Sequence, residues 1–552
     1  MKRVRSHSPL PYLIPVILVS LLPFIIIFAT PLLPHTSDGA VHLPRMGAYF
    51  KALADGHIPV RWAGDLNFGY GLPLFNFIYQ APYLISSIFI FFGLGLVSSF
   101  KITLALSFLF SGIFMYLFVR EWLGDPRKAL FVTLFYQFAP FRLVEILVRG
   151  AIGGIYAYTF FPLVLYGLAK IAKKPSAPAF ALTAIAAMLL VISHNSLSLL
   201  FFGVASFFTI FFVKGKKQLI MAFGGLMYGL LLSAFFWLPA IAEHKYTYGN
   251  LFMKDLYKMY FPPLINFFVP NVTDSPAFRT GEVSTQLGLF HSIAILLAII
   301  GLVGGRFDKK TKPILLFGLA LTAGAIFFMQ PVSLLFWKRI SFLRQFQFPW
   351  RFLAITSFST ALLSLSFEKF VHINAKNVFR IILFFVIATT AYYWYPRQGF
   401  DRVKETDFWN YPLNTTYFGE TDVIWSAGPA KTFPSSRVEF IQGSGTVTHF
   451  QKKTHVHTFA ATAETDSKLV DHTQYFPGWR VYVDGQKAPI EFQDQNWRGL
   501  ITFPVAAGTH DVVVRFEESP VRFIADALTI GSLAGLALVY LQTLKLKRHN
   551  EN

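Results

Sequence analysis

The sequence predicts an α-helical polytopic membrane protein of about twelve transmembrane helices with a C-terminal extracytoplasmic β-sandwich, and three observations carry that prediction. Of 552 residues, 54% are hydrophobic and only 14% charged, with a mean hydropathy of +0.49, more apolar surface than a soluble domain can hide. Apolar runs long enough to span a bilayer recur along the chain. One stretch, 397–520, breaks that pattern with polar residues, β-branched alternation and turn signals.

The apolar runs lie near 10–33, 98–119, 129–145, 154–171, 178–195, 197–213, 219–238, 287–304, 313–330, 350–367, 379–396 and 521–541. The first follows a basic start, Met1 to Arg5, and has no small-residue cleavage site, so it reads as a retained signal anchor. A further candidate at about 73–95 is decided by charge. If it does not cross, the basic clusters, from Lys2, Arg3 and Arg5 through Lys214, Lys216 and Lys217 to Lys545, Lys547 and Arg548, all fall on one side, as the positive-inside rule asks. With Pro73, Pro82 and interleaved aromatics, 73–95 reads as a re-entrant or interfacial piece of a long outer loop, 34–97. The expected divisions are 1–396, transmembrane and carrying that loop; 397–520, the β-sandwich; and 521–552, the final helix and a cytoplasmic tail. The expected place is the cytoplasmic (inner) membrane, multi-pass, with the site and the β-domain outside.

The formal net charge of +20 sits in short clusters between apolar runs and not along one stripe, so topology and lipid phosphate account for it better than nucleic acid. Cysteine is absent, which excludes disulfides and thiolate metal sites. No Walker loop, dinucleotide-binding glycine turn, HExxH or GxSxG occurs, which argues against ATP hydrolysis, NAD chemistry, zinc proteolysis and serine esterase activity.

Inside the outer loop, Pro44 suits a helix start and Gly56 a helix end, predicting a short juxtamembrane helix over 45–54; Gly64, Gly69 and Gly71 mark turns. In the polar domain, 480–487 reads as a strand running into an Asp484-Gly485 turn, and 509–516 as another alternating strand.

The residues that could carry chemistry cluster in the outer loops. Asp38, just outside the first span and beside Gly39, can take a proton from an acceptor hydroxyl or hold a divalent cation; alternatively it or Ser37 caps a helix. His42 shares a face with Asp38 if a helix runs through both, as a metal partner or as a satisfied interfacial histidine. Arg45 meets a phosphate or snorkels to headgroups. Asp65 is a second carboxylate of the loop, or a turn residue. Glu145 and Arg149 lie at a span edge, where charges are costly. They read as a phosphate site backed by Gly150 or as an i,i+4 ion pair. His194 is a substrate contact or the polar corner of a helical hairpin. Arg344 and Arg351, among aromatics, fit an anionic headgroup or a diphosphate, or anchor the interface together with Trp350.

Three stretches of the first loop, Ser37-Asp38-Gly39-Ala40-Val41-His42, Ile58-Pro59-Val60-Arg61-Trp62 and Gly69-Tyr70-Gly71-Leu72-Pro73-Leu74-Phe75, resemble the membrane proteins labelled 6-pyruvoyl-tetrahydropterin-synthase-related. Arg149-Gly150-Ala151, Phe348-Pro349-Trp350-Arg351-Phe352 and the run from Tyr475 to Gly485 are similar to segments of that group and of the YfhO-like proteins. These proteins look like relatives of the type C (GT-C) glycosyltransferases. The resemblance implies transfer of a sugar from a polyprenyl-phosphate-linked donor to a glycan, lipid or protein acceptor at the outer face. It implies Asp38 as base or metal ligand, Glu145 as the nearest match to a second-loop carboxylate, and Mg2+ or Mn2+ as a candidate cofactor on Asp38 and Glu145. The chain lacks the paired Asp-x-Asp of the oligosaccharyltransferase branch. In that scheme Asp38 and His42 are catalytic, while Arg45, Asp65, Glu145, Arg149, His194, Arg344 and Arg351 bind substrate. A lipid-linked glycan flippase and a non-catalytic envelope assembly factor are the alternatives.

Overall fold

The computed structural model describes residues 10–249, 255–269, 284–371, 376–396, 398–409, 412, 419 and 421–551. Among them, seven helices are long and apolar enough to cross a bilayer: Pro11–Phe28, Leu96–Leu123, Ile152–Lys173, Asn195–Phe212, Thr311–Phe328, Pro349–Lys369 and Pro520–Gln542. Two pairs, Pro126–Gln137 with Pro140–Val148 and Lys216–Leu232 with Ala234–Tyr246, are bent by 55° and 67°. Prolines 140 and 239 stand in the second halves, and a proline cannot bond back into the preceding turn. The remaining three expected spans are shorter apolar helices, Ala177–Val191, Leu289–Val303 and Asn377–Tyr393. The chain is a multi-pass membrane protein; among the described residues seven to nine helices have spanning character by length and composition, and three shorter apolar helices fall on the other expected spans.

The segment 73–95 folds as a turn of helix, Leu74–Phe77, followed by Ala81–Phe91. Eleven residues reach about 16 Å, half of a hydrocarbon core. The juxtamembrane helix starts six residues earlier than Pro44 suggested and spans Gly39–Ala54, with Pro44 inside it. Its start is set by Thr36, whose Oγ1 accepts from the Gly39 amide at 3.1 Å. It ends where expected, before Gly56 at φ +84.

Packing sorts the helices. Pro349–Lys369 is enclosed along its length and Ile152–Lys173 nearly so, whereas Pro520–Gln542 turns most of its apolar surface outward. Exposed Phe523, Ile530 and Leu538 on the last helix are what a lipid-facing surface requires. Glu405, from the segment before the polar domain, accepts from the Leu96 and Val97 amides at 2.8 and 3.0 Å and so caps a long central helix with a negative charge at its positive end.

The polar domain has two antiparallel sheets. The larger has the order Gly445–Lys453, Val456–Ala463, Gly508–Phe516, Trp479–Val483, Gln486–Ala488; the smaller Val438–Gln442, Ser467–Gln474, Leu500–Val505. Alternate residues from both, among them Phe459, Val481 and Val512 opposite Leu469, Ile501 and Phe503, form one core, which makes the domain a sandwich. The hairpin turn is Asp484-Gly485, with φ +50 and +77 as a tight two-residue turn demands. The strands begin only at Val438; before them lie a two-residue strand, Phe400–Asp401, paired with Leu33–Pro34, and a short helix, Glu405–Trp409.

A buried ionic staple seats the sandwich. Arg61 donates from Nε to Glu518 at 3.0 Å, from Nη2 to Asp526 at 2.7 Å and from Nη1 to the Phe235 carbonyl at 2.9 Å. Arg522 donates to Glu243 at 2.9 Å and to the Pro477 carbonyl at 2.8 Å. Both guanidiniums are fully buried. Trp62 from the outer loop meets Trp479 and Phe516 of the sandwich with ring centroids 5.4 and 5.5 Å apart.

Candidate functional site

The site forms where the start of the outer loop is spliced onto the broken helix ending at Val148. The Ser37 and Asp38 amides donate to the carbonyls of Val148 and Arg149 at 3.3 and 2.8 Å. Thr36 fills the junction so closely that a Cβ on Gly39 or on Gly150 would stand 2.5 Å from its Oγ1. Gly150 is also at φ +67, a conformation open to glycine. These backbone contacts bring Asp38 and Arg149, 111 positions apart, onto one another.

Arg149 is shared. Its Nη1 donates to Glu145 Oε1 at 2.5 Å and its Nη2 faces Asp38 Oδ2 at 3.5 Å. Glu145 lies in a π-helical turn, Val144–Val148, a local widening that carries its carboxylate to the arginine four residues on. The expected i,i+4 ion pair is therefore present, with Asp38 as its third member. Asp38 precedes the first helical residue, yet its side chain caps nothing; Thr36 holds that role. The face of Arg149 rests on Trp350, 4.9 Å from the ring centroid.

His42 stands one turn after Asp38, its amide bonded to the Asp38 carbonyl at 3.0 Å and its Nδ1 to the Tyr83 hydroxyl at 3.0 Å. Burial, with Arg45 and Arg149 nearby, holds this imidazole well below its ordinary pKa, so it is neutral. His194 caps the helix Asn195–Phe212, its Nδ1 accepting from the Ser196 and Leu197 amides at 3.1 and 3.2 Å. That acceptor role leaves the ring proton on Nε2. Burial, then Arg351 and Arg149, lowers its pKa as well. Arg351 uses Nη1 for Ser196, the Phe346 carbonyl and Gln347, at 3.0, 2.9 and 2.9 Å. Its Nη2 makes no hydrogen bond among the described residues. Arg45 is buried beside Tyr83, with which its side chain interacts.

Seven of the nine residues singled out from sequence thus converge: Asp38, His42, Arg45, Glu145, Arg149, His194 and Arg351. Two lie elsewhere. Asp65 pairs with Lys51 and, at 3.0 Å, with Lys452 of the sandwich, tying the outer loop to that domain. Burial raises its pKa, but the two ammonium groups outweigh burial and the net shift is downward. Arg344 turns to the carbonyls of Trp337, at 3.2 Å, and of Lys338. Sequence reasoning missed Tyr79 and Tyr83, which carry no charge; their signal was an i,i+4 tyrosine pair beside Pro82 in the segment read as interfacial. It also missed Arg142, buried with no carboxylate partner among the described residues and held by Gln137 and Ser111 at 2.8 and 2.7 Å under the faces of Tyr136 and Tyr158.

Among the described residues no group of three or more His, Asp or Glu side chains converges as a metal centre. Asp38 and Glu145 do not fit a divalent cation in this arrangement, because Arg149 already bridges them and a cation would have to displace its guanidinium.

No family model matches the chain, and no curated protein matches it. Among solved structures it is similar to the mycobacterial arabinofuranosyltransferase AftD, at 18% identity and a TM-score of 0.42 over 70% of this chain and 26% of that one. A variant of the same protein aligns at 16% identity and a TM-score of 0.39, over 70% of this chain and 28% of that one. The chain spans about a quarter of the length of the AftD chains it matches.

Proposed function

We propose that the protein is a membrane glycosyltransferase that moves a sugar from a polyprenyl-phosphate-linked donor to an acceptor hydroxyl at the outer face of the cytoplasmic membrane. The observation that carries this reading is the charge of the buried cluster. Among the described residues, three guanidiniums, Arg45, Arg149 and Arg351, lie with two carboxylates, Asp38 and Glu145, while both imidazoles are neutral. A buried group of guanidiniums at the membrane edge suits an anion. A lipid phosphodiester supplies one negative charge and places its apolar tail in the bilayer.

The roles follow from the geometry. Glu145, at 2.5 Å, is the carboxylate that fixes Arg149; Asp38, a full ångström farther from the guanidinium, is the base. As the acceptor oxygen bonds to the sugar C1, its proton passes to Asp38. The bond between C1 and the phosphate oxygen breaks, and its electron pair stays on the lipid phosphate. Protonating Asp38 raises the cluster by one charge as the leaving phosphate gains one, so charge stays matched through the step. A single displacement of this kind inverts the anomeric centre. No metal has a part in this scheme, so chelation is expected to leave transfer unchanged. The sandwich, clamped to the loop that carries Asp38, is the part that would hold the acceptor.

The test is transfer of radiolabelled sugar from polyprenyl-phosphate donors by the purified chain. Asp38→Asn is expected to lower the rate by about 10³-fold or more, within the span of general-base effects, with unchanged thermal unfolding. Full activity in Asp38→Asn sinks the assignment of the base. Movement of lipid with no new glycosidic bond would identify a flippase instead.

A further inference from the structure

We propose that two segments beside the candidate site, 256–269 and 331–346, form a shelf sunk into the lipid leaflet that borders it, with outward apolar side chains among the acyl chains and Lys338 and Arg339 at the lipid phosphates. Neither segment belongs to a helix long enough to cross the membrane. The proposal stands apart from the transfer reading, since it concerns how the protein is seated in the bilayer and not its chemistry.

The two segments pack on one another and on the end of a span. Tyr257 stacks on Trp337 at 14° with centroids 5.2 Å apart, and the Gln330 side-chain amide donates to the Pro262 carbonyl at 3.2 Å. Trp337 Nε1 donates at 3.1 Å to the carbonyl of Phe328, the last residue of the helix Thr311–Phe328, and the Phe336 ring lies 5.5 and 6.2 Å from those of Phe327 and Phe328. The shelf is therefore level with the end of that spanning helix. Its inner edge meets the site, where the Gln345 carbonyl accepts from Ser196 Oγ and the Phe346 carbonyl from Arg351 Nη1, both at 2.9 Å.

Inward, the shelf buries Tyr257, Phe267, Trp337 and Phe346. Outward it is apolar as well: Val332, Leu335, Phe336, Ile340 and Phe342 of one segment, and Leu264, Ile265, Phe268 and Val269 of the other, are 43 to 72% exposed. A surface apolar on both sides is not built for water; the outermost strand of the sandwich, Gly445–Lys453, turns Thr446, Thr448 and Gln451 to solvent instead. The backbone sets the depth. The α-helical piece of the shelf, Leu334–Arg339, has six residues and reaches about 9 Å, far short of a span, and the turns around it hold peptide groups that hydrocarbon cannot satisfy. Apolar side chains rule out water and irregular backbone rules out the bilayer centre, so the boundary between headgroups and acyl chains meets both demands. Lys338 and Arg339 are exposed at the end of that helix and have no hydrogen bond or ion pair from their side chains among the described residues; at this depth their charges reach the phosphates.

The chain contains no cysteine, so single cysteines report on single positions. Ile265→Cys and Leu335→Cys in the shelf, Thr448→Cys in the sandwich and Ile530→Cys in the last helix all replace exposed side chains and disturb no core. Each full-length variant is labelled with bimane in nanodiscs of phosphatidylcholine and phosphatidylglycerol, then quenched with iodide or with lipids spin-labelled near the headgroup or at the chain end. At 265 and 335 iodide is expected to quench about tenfold less than at 448, and the label near the headgroup more than the one at the chain end, as for an element buried about 5–10 Å deep. At 530, in mid-span, the order of the two spin labels should reverse. Iodide quenching at 265 and 335 equal to that at 448 puts the shelf in water and overturns the proposal. Stronger quenching there from the chain end puts it at the bilayer centre, and quenching by none of the reagents shows a surface covered by protein, such as a second copy; either result overturns it as well.

Discussion

Two buried clusters of arginine and carboxylate are tied to the same outer loop, one at its start through Asp38 and one near its middle through Arg61, and they are built on different terms. The staple around Arg61 and Arg522 sets two guanidiniums against three carboxylates, Glu243, Glu518 and Asp526, with direct contacts of 2.7 to 3.0 Å and further bonds to carbonyls. Asn76 and Ser519 also donate to Glu243, at 2.8 and 2.7 Å. The cluster around Arg149 shares one guanidinium between Glu145 and Asp38, the latter contact a long 3.5 Å, and among the described residues the buried indole donor Trp350 Nε1 has no hydrogen-bond partner. The staple is built of short, direct ion pairs, whereas the Arg149 cluster divides one guanidinium between a short and a long contact.

Breaking the staple is expected to have the largest effect on stability. Glu243→Gln leaves Arg522 buried without its carboxylate, which costs about 3–5 kcal/mol, read as a lower unfolding temperature in detergent. If that variant melts like the wild type, the two clusters do not differ in kind. Arg149→Lys sharpens the other side. It keeps one charge but loses the fork that reaches both Glu145 and Asp38, so transfer should fall about 10²-fold with little change in melting. Melting as severe as that of the staple variant would make the Arg149 cluster structural too.

The smallest effect concerns pH at the staple's edge. His57 is buried against His455, ring centroids 5.0 Å apart, with Arg61, Arg522 and Asp55 near the pair. Burial, then His455 and the two arginines, pushes the His57 pKa down to about 3. The unfolded chain takes up a proton there near pH 6.5, and the folded protein does not until far lower. Stability should therefore decline as pH falls from 7 toward 4, and His57→Gln should flatten that decline. An identical slope in the variant would place the titrating group elsewhere.

What the sequence made legible follows from how each signal is carried. Glycine and proline punctuation acts locally, so the Asp484-Gly485 turn and the end of the helix before Gly56 were readable. The start of that helix was not, because Pro44 looked like an opening residue and the true cap, Thr36, reads as any loop threonine. Charges at span edges pointed to Asp38, Glu145, Arg149 and Arg351, since each ionisable group there must have a reason. The same rule applied to Arg522 and Asp526, at the start of the last apolar run, would have found half of the staple. Its partners lie some 280 to 465 positions away, a pairing that one sequence does not disclose. The i,i+4 pair Tyr79 and Tyr83 was passed over because stacked rings in an aromatic-rich chain look like packing.

The Arg61 to Glu518 contact joins residues 457 positions apart. During synthesis, at roughly 5–20 residues per second, the outer loop emerges about 25 to 90 seconds before the segment that neutralises it. For that interval Arg61 has neither carboxylate, and the loop has no sandwich to seat against. The residues described in the Arg149 cluster have all emerged once Arg351 is made, well before the last helix. The chain therefore has the Arg149 cluster in hand before the staple, and a product cut short before Glu518 would carry the cluster without the staple.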